Sequence, residues 1–247
     1  MKDLELWCGD CLEAMKNIPH KSIDMILADL PYGTTTCKWD VIIPFEPLWK
    51  QYERIIKNNG AIVLFGSQPF TSNLILSNIN IFKYCWYWKK EKGTGFAISG
   101  KRPLNIIEDI CVFYKKQAKY NPEKKLLDKP YRHTLPIVKS DSGSKDNLKN
   151  LNEDGSRKYK EYLYETPTQL LEFTRDKSNR GVHPTQKPVK LLEYLIKTYT
   201  QENETVLDNV MGSGSTGVAC KNLNRKFIGI EKDKKYFDIA VDRINNA

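Results

Sequence analysis

The sequence predicts an α/β fold built on a doubly wound, mostly parallel sheet with an inserted polar segment. Short apolar runs typical of buried strands alternate with amphipathic helical stretches at both ends of the chain. Residues 116–182 interrupt this alternation and are far longer than an ordinary α/β connection. A length of 247 residues accommodates one such domain together with an insertion.

The order of apolar runs predicts seven strands and six helices. Residues 23–28 form a compact apolar run, which is typical of a strand covered on both faces. The helix beginning at Phe45 has one apolar face, and the sequence at 58–60 (Asn-Asn-Gly) predicts its C-terminal cap. The predicted strands are 4–7, 23–28, 61–65, 82–88, 106–114, 204–207 and 226–230; the predicted helices are 11–18, 45–57, 69–78, 188–199, 215–223 and 236–245.

Composition favours a folded protein with a substantial core, because 40% of its residues are hydrophobic and 11% are aromatic. No apolar run approaches the roughly 20 residues of a membrane span, and the N-terminus resembles no signal segment, so we expect a cytoplasmic protein without membrane contact. The six scattered cysteines are then reduced thiols. Cys8 and Cys11 form a lone C-x-x-C, which we interpret as ordinary structural residues rather than a zinc or redox site, so no metal is predicted.

The positive charge is concentrated in the middle of the chain. The net charge is +9, and residues 83–102 contain six basic residues and one acid, whereas residues 116–182 contain fifteen basic and ten acidic residues. A solvated lysine surface would also explain this excess. Aromatic residues interleaved with the first cluster favour instead a surface for a polyanion; they are Tyr84, Trp86, Tyr87, Trp88 and Phe96.

A glycine-rich turn near the C-terminus predicts a nucleoside site. Gly212-x-Gly214-x-x-Gly217 lies between a predicted strand and a predicted helix, and Glu231 ends the next strand. Such glycines allow close approach of a ligand, and such an acid binds ribose hydroxyls, although a tight turn without a ligand is the alternative. Too little chain follows for a dinucleotide fold. We therefore favour S-adenosylmethionine over the cofactor of a nicotinamide oxidoreductase, with Asp208 placed to bind its ammonium group.

Asp29-Leu30-Pro31-Tyr32 follows the apolar strand 23–28 and predicts chemistry on an exocyclic amine. A carboxylate and a backbone carbonyl can accept both N–H bonds of such an amine, while proline fixes the backbone and tyrosine stacks an extruded base. A methyl group could then be transferred in line without a covalent enzyme intermediate. Taken alone, the tetrapeptide is better interpreted as a structural turn, and the nucleoside site reverses that preference. Methylation at cytosine C5 is set aside because no proline precedes a cysteine.

Together these motifs resemble those of amino-group (adenine-N6 or cytosine-N4) DNA methyltransferases, in the class whose catalytic motif precedes the recognition segment and whose cofactor motif comes last. Residues 29–32 match the family's D-P-P-Y, residues 208–216 its D-P-F-x-G-S-G-T-T, and residues 183–188 its H-P-T-x-K-P. Gly9-Asp10, Trp88-Lys89, 108–113 and 227–231 resemble further family motifs. Leu30, Asn209, Val210 and Ser215 depart from the pattern, and none of them removes a group that the mechanism requires.

The resemblance implies a seven-stranded, Rossmann-like methyltransferase sheet in three parts. Residues 1–115 would form the catalytic half, 116–182 an inserted DNA (target) recognition segment, and 183–247 the half that binds S-adenosylmethionine. The expected catalytic residues are Asp29, Leu30, Pro31 and Tyr32. The expected cofactor contacts are Asp10, Asp29, His183, Thr185, Lys187, Asp208, Gly212, Gly214, Ser215, Thr216 and Glu231. The expected DNA contacts are Lys38, Trp39, Lys89, Lys90, Lys92, Lys101 and Arg102.

The implied activity is site-specific methylation of the N6 amino group of a flipped adenine in double-stranded DNA. An aspartate-led tetrapeptide favours adenine, and cytosine-N4 methylation remains the alternative. A DNA-binding module that has lost catalysis, or methylation of RNA or of a protein amide, is less favoured. The sequence leaves open a homodimer and a separate restriction nuclease as partners.

Overall fold

The computed structural model describes residues 3–34, 40–135, 138–139, 148–149, 152, 154, 156–174 and 186–247. The chain divides into two compact units, Met1–Asn121 with Gln169–Ala247, and Pro122–Thr168. The strands are β1 (Leu4–Cys8), β2 (Ile23–Ala28), β3 (Ile56–Gly66), β4 (Phe82–Thr94), β5 (Asn105–Phe113), β6 (Lys125–Thr134), β7 (Val138–Lys139), β8 (Leu148–Lys149), β9 (Tyr159–Glu165), β10 (Leu170–Glu172), β11 (Thr205–Asp208) and β12 (Lys226–Glu231). The helices are α1 (Cys11–Ala14), α2 (Phe45–Ile55), α3 (Phe70–Ser77), α4 (Val189–Tyr199), α5 (Ser215–Asn222) and α6 (Lys234–Asn245).

The first unit contains an eight-stranded sheet in the order β1-β12-β11-β2-β3-β5-β4-β10. Strand β5 is antiparallel to both of its neighbours, and every other pairing is parallel. The predicted α/β, mostly parallel architecture is therefore confirmed. Because β1, β2, β11 and β12 are parallel, their carboxyl ends meet at one edge of the sheet, where open α/β folds bind ligands.

Helices cover both faces of the sheet, and the side chains of β2 alternate between them. Met25 and Leu27 pack in the core beneath α4, α5 and α6, whereas Ile26 and Ala28 pack in the core beneath α1, α2 and α3. All six residues of β2 are buried, as the apolar run predicted. No helix within the described ranges has the length and apolarity that crossing a membrane would need.

The structure corrects two details of the predicted sheet. An eighth strand, β10, lies in the segment assigned to the insertion, and it pairs with β4 while burying Leu171. The second compact unit is accordingly shorter than 116–182. The predicted cap at 58–60 is also wrong, because α2 ends at Ile55 and these residues belong to β3. Gly60 is needed there for close packing, since a Cβ would lie 2.8 Å from the carbonyl oxygen of Asp24.

The second unit, Pro122–Thr168, contains a two-stranded antiparallel pair of β6 and β9. Every residue of β9 is exposed, and so is nearly all of β6. Tyrosines stand on this ribbon beside basic residues. The Arg132 guanidinium lies 4.6 Å from the ring centre of Tyr159, and the Lys160 ammonium lies 5.3 Å from that of Tyr162.

Gly217 lies within α5, and its lack of a side chain allows α6 to approach. A Cβ at this position would lie 2.4 Å from Ile244 Cδ1 and 2.7 Å from a ring carbon of Phe227, both of which are fully buried. We expect Gly217→Ala to lower the free energy of unfolding by about 1–3 kcal/mol, because the overpacking outweighs the better helix propensity of alanine. Denaturant titration followed by circular dichroism measures this change.

Gly100→Ala is the matched control, since a Cβ at Gly100 would meet nothing within 4 Å. Its unfolding free energy should stay within about 0.5 kcal/mol of wild type. Equal stability of the two variants would show that α5 and α6 are not in close contact at Gly217.

Candidate active site

A cavity of about 850 Å³ opens at the carboxyl edge of the sheet, and its size is typical of a site for small molecules. The loops that follow β1, β2, β11 and β12 form much of its wall, with further residues from β3, β4 and β5. The wall includes Asp10, Asp29, Leu30, Pro31, Tyr32, Phe65, Lys90, Glu108, Lys187, Asp208, Gly212, Ser215, Thr216 and Glu231. The structure thus brings the predicted catalytic tetrapeptide and most of the predicted cofactor residues to one cavity.

The loop carrying Asp29 is held in place from two sides. Leu30 is buried in the core beneath α1 and α2, which anchors the loop directly after β2. Farther along, the Asp40 carboxylate accepts hydrogen bonds from the backbone N–H groups of Gly33 and Thr34, both at 2.9 Å. Gly33 adopts a φ of +67°, a conformation that glycine takes without strain. The loop therefore presents Asp29 from a defined backbone.

Asp29 belongs to a network of ionisable side chains. The Tyr32 hydroxyl donates to Asp29 Oδ1 at 2.8 Å, and Lys187 Nζ donates to Asp29 Oδ2 at 2.5 Å. The same ammonium lies 2.7 Å from Glu108 Oε1, while Lys90 Nζ lies 3.8 Å from Glu108 Oε2. Two carboxylates and two ammonium groups thus balance each other beside the cavity.

Burial and charge act in opposite directions on this network. Burial raises the pKa of Asp29, and Lys187 opposes that rise. Burial also acts to raise the pKa of Glu108, but the attraction of Lys187 and Lys90 outweighs it and leaves the pKa lowered. For Lys187, the two carboxylates outweigh burial, so its pKa is raised. Glu108 and Lys187 therefore form a stable ion pair at neutral pH.

Asp208 is a buried carboxylate that lines the same cavity, with 4% of its surface exposed. Its Oδ2 accepts from the Thr216 hydroxyl at 2.6 Å, and its Oδ1 accepts from the backbone N–H of Val210 at 3.1 Å. Burial raises the pKa of Asp208 to about 7. No lysine or arginine within the described ranges forms an ion pair with it, so the site suits a cationic ligand group.

Glu231 connects the glycine-rich turn to the end of β12. Its two carboxylate oxygens accept from the backbone N–H groups of Gly212 and Asp233, each at 2.8 Å. Gly212 has a φ of +52° and lines the cavity, as expected for a glycine that gives a ligand access to the backbone. Asp10 caps α1 by accepting from the N–H of Leu12 at 3.0 Å, and its other oxygen lies 3.2 Å from Lys232.

Gly214, predicted as a cofactor contact, has a packing role in the structure. Gly214 is absent from the cavity wall, and a Cβ there would lie 2.9 Å from the Cβ of Ala240. Like Gly217, it allows α5 and α6 to pack closely. Two of the three glycines in the motif are therefore explained by helix packing, and only Gly212 faces the cavity.

Lys90, predicted as a DNA contact, is buried and not on the surface. Along β4, Trp86, Trp88 and Lys90 alternate inward and are buried, so the sequence interpretation of an aromatic polyanion surface is wrong for both tryptophans. Only 7% of Lys90 is exposed, and it faces Glu108. The other predicted DNA contacts within the described ranges are exposed: Lys89, Lys92, Lys101 and Arg102. Lys38, Trp39, His183 and Thr185 lie outside the described residues.

Sequence reasoning missed Glu108 as a site residue. Its signal was a pair of adjacent acids, Glu108 and Asp109, in a mostly apolar strand, and only 8% of the Glu108 surface is exposed in β5. A buried carboxylate needs a partner, and such groups concentrate at functional sites. Lys187 was predicted as a cofactor contact; its ammonium lies on Asp29 and Glu108, and the residue lines the cavity.

Three known proteins are similar to this chain in sequence or in structure. The type II methyltransferase M.HpaI of Haemophilus parainfluenzae is 27% identical over 99% of this chain and 75% of its own length. The crystal structure of an M1.HpyAVI–SAM complex has a TM-score of 0.64 and 27% identity, covering 98% of this chain and 99% of that one. The PvuII DNA methyltransferase (cytosine-N4-specific) shares the fold, with a TM-score of 0.67 at 16% identity, covering 98% of this chain and 86% of that one.

A DNA methylase family model, that of the N6 and N4 enzymes, matches residues 23–242. This match includes the Asp29 loop, the inserted unit and the glycine-rich turn, and it extends over most of the chain. The chain therefore belongs to the family of amino-group (N6/N4) DNA methyltransferases.

Proposed function

We propose that this enzyme transfers a methyl group from S-adenosylmethionine to the N6 amino group of an adenine flipped out of double-stranded DNA. One observation carries the proposal: Asp29 and Tyr32 face the same cavity as Asp208 and Glu231. A site for an amine and a site for a nucleoside with an ammonium group are thus continuous, as an in-line transfer between the two requires.

The residues of the cavity fit S-adenosylmethionine. Asp208 is a buried carboxylate suited to the ammonium group, and Glu231 is suited to the ribose hydroxyls, as the acid at the end of the second strand is in nucleotide folds. Gly212 leaves the backbone accessible between them. When bound, the cofactor supplies an electrophilic methyl group on a sulfonium. The chain's own task is to hold and orient the amine opposite it.

Asp29 would hold the target amine with the backbone carbonyl of Leu30 or Pro31. The nitrogen of an exocyclic amine is a poor nucleophile because its lone pair is conjugated with the ring. Two acceptors on its N–H bonds favour a pyramidal nitrogen and expose that lone pair. Proline fixes the backbone there and offers no competing N–H donor. Asp29 lies at the end of β2, where a rigid strand positions it.

Tyr32 would stack the extruded base. Its ring already packs on Phe70, with ring centres 4.9 Å apart and planes inclined by 29°. Phe70 supports one face of Tyr32, and Tyr32 also lines the cavity, where a nucleobase would stack on it, since enzymes that act on bases commonly read them between flat side chains. Cytosine-N4 methylation is the second candidate, favoured by the fold shared with the cytosine-N4-specific PvuII enzyme.

A methylation assay tests the proposal directly. The wild-type enzyme is incubated with mixed-sequence DNA and S-adenosylmethionine carrying a labelled methyl group, and the nucleosides are then separated by mass spectrometry. We expect label in N6-methyladenine. Asp29→Asn should reduce the rate by about 10²–10⁴-fold, because the amide offers one acceptor oxygen without the charge that stabilises a developing cation.

Asp242→Asn makes the same chemical change at an exposed position on α6 and should keep the wild-type rate. Label found only in N4-methylcytosine would replace adenine by cytosine as the target. Absence of label from every DNA tested would refute the proposed reaction.

The raised pKa of Asp208 predicts how the affinity for the cofactor depends on pH. Since burial raises the pKa of Asp208 to about 7, the carboxylate is partly protonated below that pH and attracts an ammonium group less strongly. Calorimetric affinity for S-adenosylmethionine should therefore rise between pH 6 and 7.5. Asp208→Asn should weaken binding at pH 7.5 by about tenfold or more, the value of a hydrogen bond to a charged group, and should flatten the pH dependence.

The surface variant Asp242→Asn is again the control and should keep both the affinity and its pH dependence. If Asp208→Asn bound the cofactor as tightly as wild type at pH 7.5, Asp208 would have no part in holding the ammonium group.

The unit Pro122–Thr168 is proposed to contact DNA through the ribbon of β6 and β9, which exposes tyrosines next to Arg132 and Lys160. Each cation that neutralises a phosphate releases counterions on binding. We expect the double variant Arg132→Ala/Lys160→Ala to weaken duplex binding and to reduce the slope of log affinity against log salt by about two. Fluorescence anisotropy at several salt concentrations measures both quantities.

Lys50→Ala removes an exposed lysine from α2 and should leave the salt slope unchanged. An unchanged slope in the double variant would mean that this ribbon contacts no phosphate.

A further inference from the structure

The Lys187 ammonium lies between the carboxylates of Asp29 and Glu108, which are far apart in sequence. Its Nζ lies 2.5 Å from Asp29 Oδ2 and 2.7 Å from Glu108 Oε1, and it sits 4.9 Å from the ring centre of Phe65. Lys187 is buried, with 9% of its surface exposed. If the ammonium moved into solvent, both carboxylates would lose their counter-charge, whereas a shift toward Glu108 keeps the ammonium paired with an anion.

We infer that Lys187 is a displaceable counter-ion of Asp29, and that Glu108 is the positioning residue that retains the Lys187 ammonium when Asp29 binds the target amine. This inference rests on the proposed function, in which Asp29 accepts a hydrogen bond from the substrate. It concerns two residues outside the catalytic tetrapeptide. The step exchanges hydrogen bonds only, so no covalent bond forms or breaks in it.

The hydrogen bonds of Asp29 explain why displacement of Lys187 favours binding of the target amine. In the structure, Asp29 Oδ1 accepts from Tyr32 and Oδ2 accepts from Lys187. An ammonium at 2.5 Å withdraws electron density from the carboxylate and competes with a neutral amine for the same oxygen. A charged donor makes the stronger hydrogen bond, so the amine bonds to Asp29 most strongly when Lys187 is satisfied elsewhere.

Glu108 can satisfy it without further charge entering the site. Lys90 Nζ lies 3.8 Å from Glu108 Oε2, on the oxygen opposite the one that faces Lys187. A second cation there keeps Glu108 ionised after it takes Lys187 for itself. The Tyr32 hydroxyl, 3.3 Å from Glu108 Oε1, can turn from one carboxylate to the other in the same way. Both donors of Asp29 thus have Glu108 as their alternative acceptor.

The groups that act on Asp29 predict opposite effects of two substitutions. Lys187, Tyr32, Glu108 and the more distant Asp208 are the charged or titratable groups acting on it, with Lys90 behind Glu108. Lys187 lowers the pKa of Asp29 and Glu108 raises it. Lys187→Met should therefore raise the pKa of Asp29, and Glu108→Gln should lower it.

The test has two readouts on full-length wild type, Lys187→Met, Glu108→Gln and Glu108→Asp. The first is a ¹³C NMR titration of the free enzyme labelled at aspartate side chains, with the Asp29 signal assigned by its loss in Asp29→Asn. The second is the pH profile of kcat for methylation. Lys57→Met is the matched control, because Lys57 pairs at 2.7 Å with Asp24 near the start of the same strand, β2.

We expect the Asp29 titration and the acidic limb of kcat to move to higher pH in Lys187→Met and to lower pH in Glu108→Gln. On the plateau, kcat of Glu108→Gln should fall at least tenfold even though Asp29 is more readily ionised, because Lys187 has lost its second anion. KM for the cofactor should not change. Glu108→Asp should recover much of kcat, and Lys57→Met should match wild type in both readouts.

An Asp29 titration that is unmoved, or that moves in the same direction in both variants, overturns the inference. So does a Glu108→Gln enzyme that keeps the wild-type plateau. Circular dichroism melts identify any variant that fails to fold, in which case Glu108→Asp and the wild-type titration carry the NMR test. If wild type methylates no DNA, the proposed function fails, and the NMR titration still decides whether the two residues act on Asp29 as stated.

Discussion

The Lys187 ammonium joins three segments of the chain that are far apart in sequence. It contacts Asp29 after β2 and Glu108 in β5, while Lys187 itself lies just before α4. Removing any one of these three groups would leave an uncompensated charge in a site largely shielded from water, so the ammonium stays in contact with at least one of the two carboxylates. The interaction therefore fixes where the segment before α4 meets the sheet, and with it one wall of the cavity.

Backbone pairing between two neighbouring strands holds the two halves of the site in register. Asp29 follows β2 and Asp208 ends β11, and these two strands are neighbours in the sheet, pairing at Met25 with Val206 and at Ile26 with Leu207. Backbone pairing thus sets the separation of the two carboxylates. The parallel sheet places both carboxylates at one edge. Lys187, just before α4, and Glu231, at the end of β12, line the same cavity.

Sequence patterns predicted the elements whose causes are local. The buried run of β2, the strand–turn–helix at Gly212 and the acid at Glu231 all follow from apolar periodicity or turn chemistry, and the structure contains them. The errors have tertiary causes. The glycine at 60 signalled a cap but lies in a strand that passes close to Asp24, and β10 becomes a strand because β4 offers it an edge.

The positions of charged residues in the sequence were the poorest guide to which of them face solvent and which face the site. Lys90 stands in a basic cluster and was expected on the surface, yet the alternation of β4 turns it inward toward Glu108. In the sequence, Glu108 was one of two adjacent acids in a mostly apolar stretch that resembles a family motif, without a predicted role of its own. Whether a charged residue faces solvent or a partner depends on the register between β4 and β5, which pairs Trp88 with Glu108 and which no single stretch of sequence determines.

The departures from the family motifs show how the fold replaces local rigidity by tertiary contacts. Leu30 stands where the family has proline, and its side chain is anchored in the core beneath α1 and α2 instead of having its backbone fixed by a ring. Asn209 also replaces a proline, and its Oδ1 accepts a 2.6 Å hydrogen bond from the Tyr52 hydroxyl of α2. A buried hydrogen bond of this kind fixes the turn after Asp208 as a proline would fix its own φ angle. Asn209 is held by a hydrogen bond from α2, and Leu30 is held by packing in the core beneath α2. The Asp29 and Asp208 loops are therefore positioned by the same layer of helices.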